Sequence, residues 1–339
     1  MTTTLTPEPL TRAEVLHHAA LRALRAPSVH NTQPWRFVVT DHALELRADR
    51  DRQLRVLDPR GRQLTISCGC ALYNARVAIE AVGYTPIVER LPDPDDKDLL
   101  ARVSVGSPHG YAHSVSLNLA IDERRTNRRA YASEPVPDDV LQDVIRIAAE
   151  EGGVLSVIDD LDERLAIAGL SAMADHIERE DPAYAEELAR WTTDDPNRPD
   201  GVQAATVPNG GRKWSEQQRL PLRNMDPRGM GWLPPNVIDA ADECLMLFGA
   251  DDDTPLAWLR TGEALEHVWL ELTDRFYWAG PLMQVIEVGL TRGQLQRTLG
   301  RGAEPQLLLR VGRAPSTVET QRRAPEDVIE VRAAGAELS

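Results

Sequence analysis

Apolar positions recur along this chain in two rhythms. From Thr11 to Leu24 the residues Val15, Leu16, Ala19, Ala20 and Ala23 return every three or four positions, the spacing of one helix face. Thr11 with Glu14 three residues on has the capping-box spacing, and Pro27 ends the run. Arg36 to Thr40 and Ala43 to Arg47 predict two hairpin strands around an Asp41-His42 turn. Leu64 to Val82 is apolar nearly all round (Leu72, Ala75, Ala78, Ile79, Val82), which predicts a buried helix stopped by Gly83. Strands follow at Pro86 to Leu91 and Leu99 to Val105, with an acidic turn between them. Further on, Val140, Leu141, Val144, Ile145 and Ala148 predict a helix entered at Pro137, with Asp138 and Asp139 at its positive end and Gly152-Gly153 behind it. Val154 to Ile158 reads as a strand, and Asp162 to Arg190 as one or two helices. Thr261 to Trp278 reads as a second buried helix, with Leu265, Val268, Trp269, Leu272 and Phe276 on its face. The strand "PQLLLRVGR" and the tail "RRAPEDVIEV" close the chain.

The stretch from Asp194 to Pro235 follows neither rhythm. It holds Pro196, Pro199, Pro208, Pro221, Pro227, Pro234 and Pro235, and a segment so long without regular structure is usually functional or disordered. Trp214, Met225, Met230 and Trp232 favour an ordered cover over something, because pure linkers avoid such residues. A disordered linker is the competing reading.

The order helix, strand, buried helix, strand occurs twice. "CGCALYNARVAIEAVGY" and "TGEALEHVWLELTDRFY" share a glycine, an Ala-Leu pair, an apolar face and a closing tyrosine, and "LLARVSVG" mirrors "LLLRVGR" downstream. Each half alone is short of core, so two related halves would bury a shared face. Chance likeness between two Ala/Leu-rich helices competes with duplication.

Composition narrows the functional classes. The 339 residues are 42% hydrophobic and 27% charged, as in a globular chain with one large or two ordinary domains. A net charge of −15 argues against non-specific contact with nucleic acid or an anionic membrane, so an anionic ligand would need a local arginine cluster. No apolar run approaches the roughly 20 residues that span a bilayer. The opening residues lack a basic stretch followed by an apolar core, and the expected location is the cytoplasm. Cys68, Cys70 and Cys244 give no disulfide framework, and Cys68-Gly69-Cys70 is too tight for a zinc pair. No dinucleotide fingerprint, Walker loop or nucleophile elbow is present, and the eight histidines are scattered without metal-like partners.

Two signals are positive. One is "APSVHNTQPWRF", Ala26 to Phe37, a turn rich in polar side chains that closes on an apolar run. The other is Arg124-Arg125-Thr126-Asn127-Arg128-Arg129, a cationic cluster around a hydroxyl and an amide in an acidic chain. Guanidinium groups hold a phosphate monoester through bidentate, charge-assisted bonds. Ion pairs to Asp122 and Glu123 on a solvated face are the alternative use of the same residues.

The first stretch resembles the flavin-binding loop of the nitroreductase family. "RRTNRRAY…PVPDDVL" is similar to that family's phosphate motif and the helix after it, and "LLLRVG…RRAPEDVI" to its closing strand and basic tail. The order is inverted, with the loop in the first half and the arginine motif in the second. That resembles the Acg-like branch, in which a single chain folds as a pseudo-dimer. The resemblance implies an α+β, internally duplicated nitroreductase-like fold: one half over 1–120, the other over 121–339, with 194–235 as a lid over the flavin site. It implies a single FMN per chain, since neither motif has an intact second copy, and a monomer that suffices.

The resemblance also implies roles. Arg124 and Arg128 would hold the FMN phosphate with Arg125 and Thr126 close by, and Arg322 or Arg323 would complete the site. Pro27, Ser28 and Val29 would line the ring and ribityl edge, and Asn31 would bond a polar edge, with Gln33 nearby. Ala279 and Gly280 would offer backbone N–H groups near the flavin. In such proteins the cofactor performs the redox step, so no catalytic side chain and no metal are expected. The implied activity is NAD(P)H-dependent reduction of nitroaromatic or quinone-like acceptors; a closed lid would instead imply a non-catalytic flavin-sequestering protein.

Overall fold

The computed structural model describes residues 10–110, 112–128, 131–207, 225, 243–314 and 318–332. In chain order the elements are α1 (Arg12–Ala23), β1 (Trp35–Val39), β2 (Leu44–Ala48), α2 (Arg62–Ala81), β3 (Tyr84–Arg90), β4 (Leu99–Pro108) and α3 (Ala112–Glu123). The chain continues through α4 (Asp138–Glu150), β5 (Val154–Val157), α5 (Leu161–Glu180), α6 (Pro182–Arg190), β6 (Thr192–Thr193) and β7 (Val202–Gln203). Then come β8 (Cys244–Ala250), α7 (Pro255–Asp274), β9 (Trp278–Leu282), α8 (Gln284–Glu287), α9 (Gly289–Leu299), β10 (Glu304–Gly312) and β11 (Ile329–Val331).

Local chemistry accounts for the main boundaries. The Thr11 hydroxyl accepts from Glu14 N at 3.3 Å while the Glu14 carboxylate accepts from Thr11 N at 2.8 Å, so the expected capping box opens α1. Gly83 ends α2 with φ +91°. The predicted helical span from Asp162 to Arg190 divides in two because Asp181 caps a new helix at Pro182. The second buried helix starts earlier than its apolar pattern suggests, at Pro255 behind a Thr254 cap. It also ends earlier: Phe276, expected on the buried face, has φ +62° and is 68% exposed.

Among the described residues the strands form a five-stranded sheet, β11-β1-β2-β4-β3, and a four-stranded sheet, β5-β8-β10-β9, with a short β6-β7 pair apart. The tail expected to belong to the later half lies on the first sheet, where β11 runs parallel to β1 with Ile329 opposite Phe37. A strand that the pattern did not predict, β8, lies between β5 and β10 in the second sheet.

The two long helices α2 and α7 cross between the sheets. A Cβ placed on Gly69 would lie 2.2 Å from Leu259 O, and one on Gly262 would lie 2.0 Å from Ile66 O. The contact is reciprocal: each glycine faces the carbonyl one turn earlier on the other helix. A single hydrophobic core runs through this crossing, from Leu16, Trp35 and Phe37 to Phe248, Trp269 and Leu309. Of the expected cover at 194–235, residues 194–207 and Met225 are described, and the rest lies outside the described residues. Val202, Val207 and Met225 pack with Leu54, Tyr184 and Trp191 in a separate apolar cluster.

Candidate functional site

A cleft of about 1050 Å³, measured with its open mouth, runs along the α2–α7 seam. Its apolar walls come from both helices and the second sheet, through Ile66, Leu265, Trp269, Leu282 and Leu307. Pro27, Ser28 and Val29 line it from the first half, and Thr126 and Arg128 line it from the arginine motif. The two sequence signals, about a hundred residues apart, thus meet in one cavity. An apolar slot with a few convergent polar groups is what a flat heteroaromatic ligand requires.

The loop reaches this position by accepting unusual backbone angles. His30, Asn31 and Gln33 have φ of +45°, +53° and +49°, in the left-handed region that costs a non-glycine residue roughly 1–2 kcal/mol each. Hydrogen bonds hold it there. Val29 N donates to Ser67 Oγ at 3.1 Å, and Gln33 N donates to Ser28 Oγ at 2.9 Å. Asn31 Nδ2 donates to Gly201 O at 3.2 Å and Gln321 O at 3.3 Å. Gln33 Nε2 donates to Pro199 O at 2.8 Å, and Gln33 Oε1 accepts from Arg323 N at 2.8 Å. In this structure Asn31 and Gln33 therefore grip protein backbone and are absent from the cleft lining. They tie the loop to the 199–201 segment and to the tail. Asn31→Ala is expected to cost about 2–3 kcal/mol in urea unfolding, from the left-handed φ plus three lost bonds, two donated to backbone and a long one accepted from Arg322. Asn31→Gly, which accepts that φ, should cost about half as much.

Behind the cleft wall lies a charged cluster. Arg124 is 3% exposed; its guanidinium lies 4.8 Å over the Trp269 ring, and its Nη2 donates to Arg25 O at 3.2 Å. Its Nε is 3.4 Å from Oε1 of Glu266, a carboxylate with no exposure at all. Arg322 Nη2 donates to the same Arg25 carbonyl at 3.2 Å, and its Nη1 to Asn31 Oδ1 at 3.4 Å. Burial pushes Glu266 up to about 7 against the pull of Arg124 and pushes Arg322 down to about 9, with Arg124 adding repulsion. Arg124 Nε and Nη1, Arg322 Nε and both Glu266 oxygens have no hydrogen-bond partner of good geometry among the described residues.

The remaining expected positions divide. Arg125 bonds the Asp122 carbonyl and lies 3.7 Å from Glu319, on the outer side of the cluster. Arg323 donates to Gln33 O at 3.2 Å and lies 3.6 Å from Asp49, so it fastens the loop. Ala279 and Gly280 do not line the cleft. They belong to β9, where Ala279 O accepts from Asn127 N at 2.9 Å, and a Cβ on Gly280 would lie 2.0 Å from Asn127 O. The cleft is lined instead by the next residues, Pro281 to Gln284. Gln63, Ser67 and Cys70 also line it and were not anticipated, because they lie within an apolar helical run; their spacing along one helix face is the signal that could have found them. Among the described residues no group of His, Cys, Asp and Glu could hold a metal ion, and no helix is long and apolar enough to cross a membrane.

Comparison with known proteins follows the same line. The family model described as "Nitroreductase family" matches residues 3–74. A Mycobacterium tuberculosis (strain H37Rv) protein named "Putative NAD(P)H nitroreductase Rv3131" is 36% identical over 325 residues, covering 94% of this chain and 92% of its own. "Putative NAD(P)H nitroreductase acg" of the same strain is 31% identical over 343 residues, covering 96% and 98%. Among solved structures, the FMN and NADPH-dependent nitroreductase NfnB from a strain given as "sphigopyxis sp. strain HMH" is similar at 17% identity with a TM-score of 0.40, covering 63% of this chain and 97% of that one. With two relatives above 30% identity along nearly their whole length, the chain belongs to the nitroreductase family, on its Acg-like branch, and has that family's α+β fold.

Proposed function

We propose that this chain is an FMN-binding flavoprotein of nitroreductase type that uses NAD(P)H to reduce nitroaromatic or quinone-like acceptors. The observation that carries the reading is the single cleft in which the Pro27–Val29 loop, Thr126 and Arg128 meet beside the buried guanidinium group of Arg124 and the half-buried Arg322. The residues fit the group. The cleft is walled mainly by apolar side chains, as a flat ring requires, and guanidinium nitrogens without hydrogen-bond partners among the described residues lie behind its wall, where they would help neutralise a phosphate. Arg124 and Arg322 would hold the phosphate near Thr126. Arg128 and the Pro27–Val29 backbone would border the ring, with Asn31, Gln33 and Arg323 fixing the loop. Bound FMN would supply the redox chemistry. The chain's own part is to orient the ring, neutralise the phosphate and keep water from the apolar face.

The reciprocal glycine contact supports an internally duplicated pseudo-dimer. The shift along the chain that places Gly69 on Gly262 also places Cys70 on Glu263 and Trp269 on Arg76. At the counterpart of the cleft wall, Arg76 lies 2.8 Å from Glu263 and 2.6 Å from Glu151, and Arg90 lies 2.6 Å from Glu263. Ion pairs there leave no apolar slot for a second ring, which favours one FMN per chain. The purified chain should be yellow and release one equivalent of FMN on denaturation; a colourless preparation that ignores added FMN would overturn the reading.

A storage role is the second reading, and one observation favours it: Val207 and Met225, from the stretch expected to cover the site, line the cleft. Anaerobic NADH or NADPH should bleach the flavin band within minutes if the chain is a reductase. Persistence of the band for hours with both nucleotides would favour storage.

A further inference from the structure

Glu266 has no part in the proposed function so far. It lies on α7 with no exposure, one turn before Trp269 of the cleft wall. The charged and titratable groups that face it come from three other parts of the chain: Arg124 after α3, Arg322 in the tail and the Cys70 thiol of α2. Asn74 of α2 stands beside it. The outer arginines share two acids: Arg22 lies 2.9 Å and Arg25 3.7 Å from Asp122, and Arg25 lies 2.9 Å and Arg125 3.7 Å from Glu319. Glu266 is therefore the one buried carboxylate facing Arg124 and Arg322 among the described residues.

Charge balance then becomes restrictive. Without ligand, one carboxylate faces two guanidinium groups. A phosphate monoester dianion on those same groups would set two further negative charges beside the Glu266 carboxylate in a poorly solvated site, where neighbouring like charges disfavour ionisation of the carboxyl. We propose that Glu266 is the internal counter-anion of the phosphate pocket: it holds Arg124 and Arg322 in the ligand-free chain and takes up a proton on its carboxylate when a phosphate dianion engages them. The inference rests on the flavin reading for its ligand and adds a positioning residue that acts through the two arginines. The Cys70 thiol is held well above its usual range by burial, so it stays protonated throughout.

The direction of the pH effect follows from linkage. Binding that raises a carboxyl group's proton affinity takes up a proton, so affinity falls as pH rises. Below about pH 7 burial already keeps Glu266 neutral, and this contribution disappears. Above it, the FMN Kd should rise toward about tenfold per pH unit.

The test titrates FMN and riboflavin into the full chain freed of flavin by dialysis, from pH 7 to 9, and follows quenching of flavin fluorescence. FMN phosphate is nearly all dianion in that range. The expected result is a rising Kd for FMN, a flat Kd for riboflavin, and calorimetric proton uptake with FMN alone when two buffers of different ionisation enthalpy are compared. Glu266→Gln should bind FMN more tightly at pH 9, lose the slope and leave riboflavin unchanged. The wild-type calorimetry decides the matter even if that variant fails to fold. Flat profiles for both flavins, or a slope that survives in Glu266→Gln and so belongs to Arg322 or another group, would overturn the proposal and leave the flavin reading standing. If neither flavin binds, both fall.

Discussion

Replacing Arg124 with alanine is expected to lower the melting temperature of the ligand-free chain at about pH 9 by on the order of 10 °C. The reason is the carboxylate left behind. Arg124 and Glu266 are both buried and stand 3.4 Å apart. Well above pH 7, where Glu266 is ionised beside Arg124, removing the cation costs about 3–5 kcal/mol because the carboxylate must stay desolvated or take up a proton. Below about pH 7 it is already neutral and the cost falls away. The loss comes before any ligand is added, which separates it from an exposed phosphate-binding arginine whose removal would be silent without ligand. Adding Glu266→Gln to Arg124→Ala should recover more than half of the lost stability, since the charge that needed a partner is gone. Scanning fluorimetry of the two single variants and the double variant completes a mutant cycle. If Arg124→Ala is as damaging in the Glu266→Gln background as in the wild type, the guanidinium works through its packing on Trp269 and the charge argument fails.

The same pair shows where sequence reasoning reaches its limit. Helix α1 was legible because its capping box and its apolar spacing are local, and so was α2, whose apolar run has a glycine at its end. The loop and the arginine motif were legible as separate signals because each is contiguous. Glu266 was not, since nothing in "GEALEHVW" tells a solvated glutamate from one facing two arginines of distant segments. Asn31 and Gln33 were legible as unusual, but their task was not. The positive φ values turn their amides toward backbone near residue 200 and in the tail, and these partners are remote in sequence. Ala279 and Gly280 missed the cleft by about two residues because β9 takes its register from β10 and from Asn127, neither of which its own residues reveal. Strand β8, "CLMLFGA", was missed because a strand buried on both faces shows no alternation.

Gly262→Ala should destabilise the chain by about 3 kcal/mol or more, although in an ordinary helix interior the same change stabilises by roughly 1 kcal/mol. The inversion of sign comes from the seam. The new methyl group would lie 2.0 Å from Ile66 O and 2.7 Å from Gly69 Cα, both backbone atoms that no rotamer change can move aside. Relief requires α2 and α7 to separate, and the core from Leu16 through Trp269 spans that crossing, so packing is lost well beyond the site of substitution. Gly69→Ala meets Leu259 O at 2.2 Å and should fail to nearly the same extent, as expected if the two helices are related copies packed about a local two-fold. The two changes would force apart the same pair of backbones, so the double variant should lose much less than the sum of the single losses. Denaturant midpoints for the three proteins check this. A stabilised Gly262→Ala would mean that the helices stand further apart than described, and additive losses would mean that the two glycines act at separate contacts. The cleft is walled by Ile66, Cys70, Leu265 and Trp269 of these same helices, so both variants should also weaken FMN binding without touching any residue that lines it.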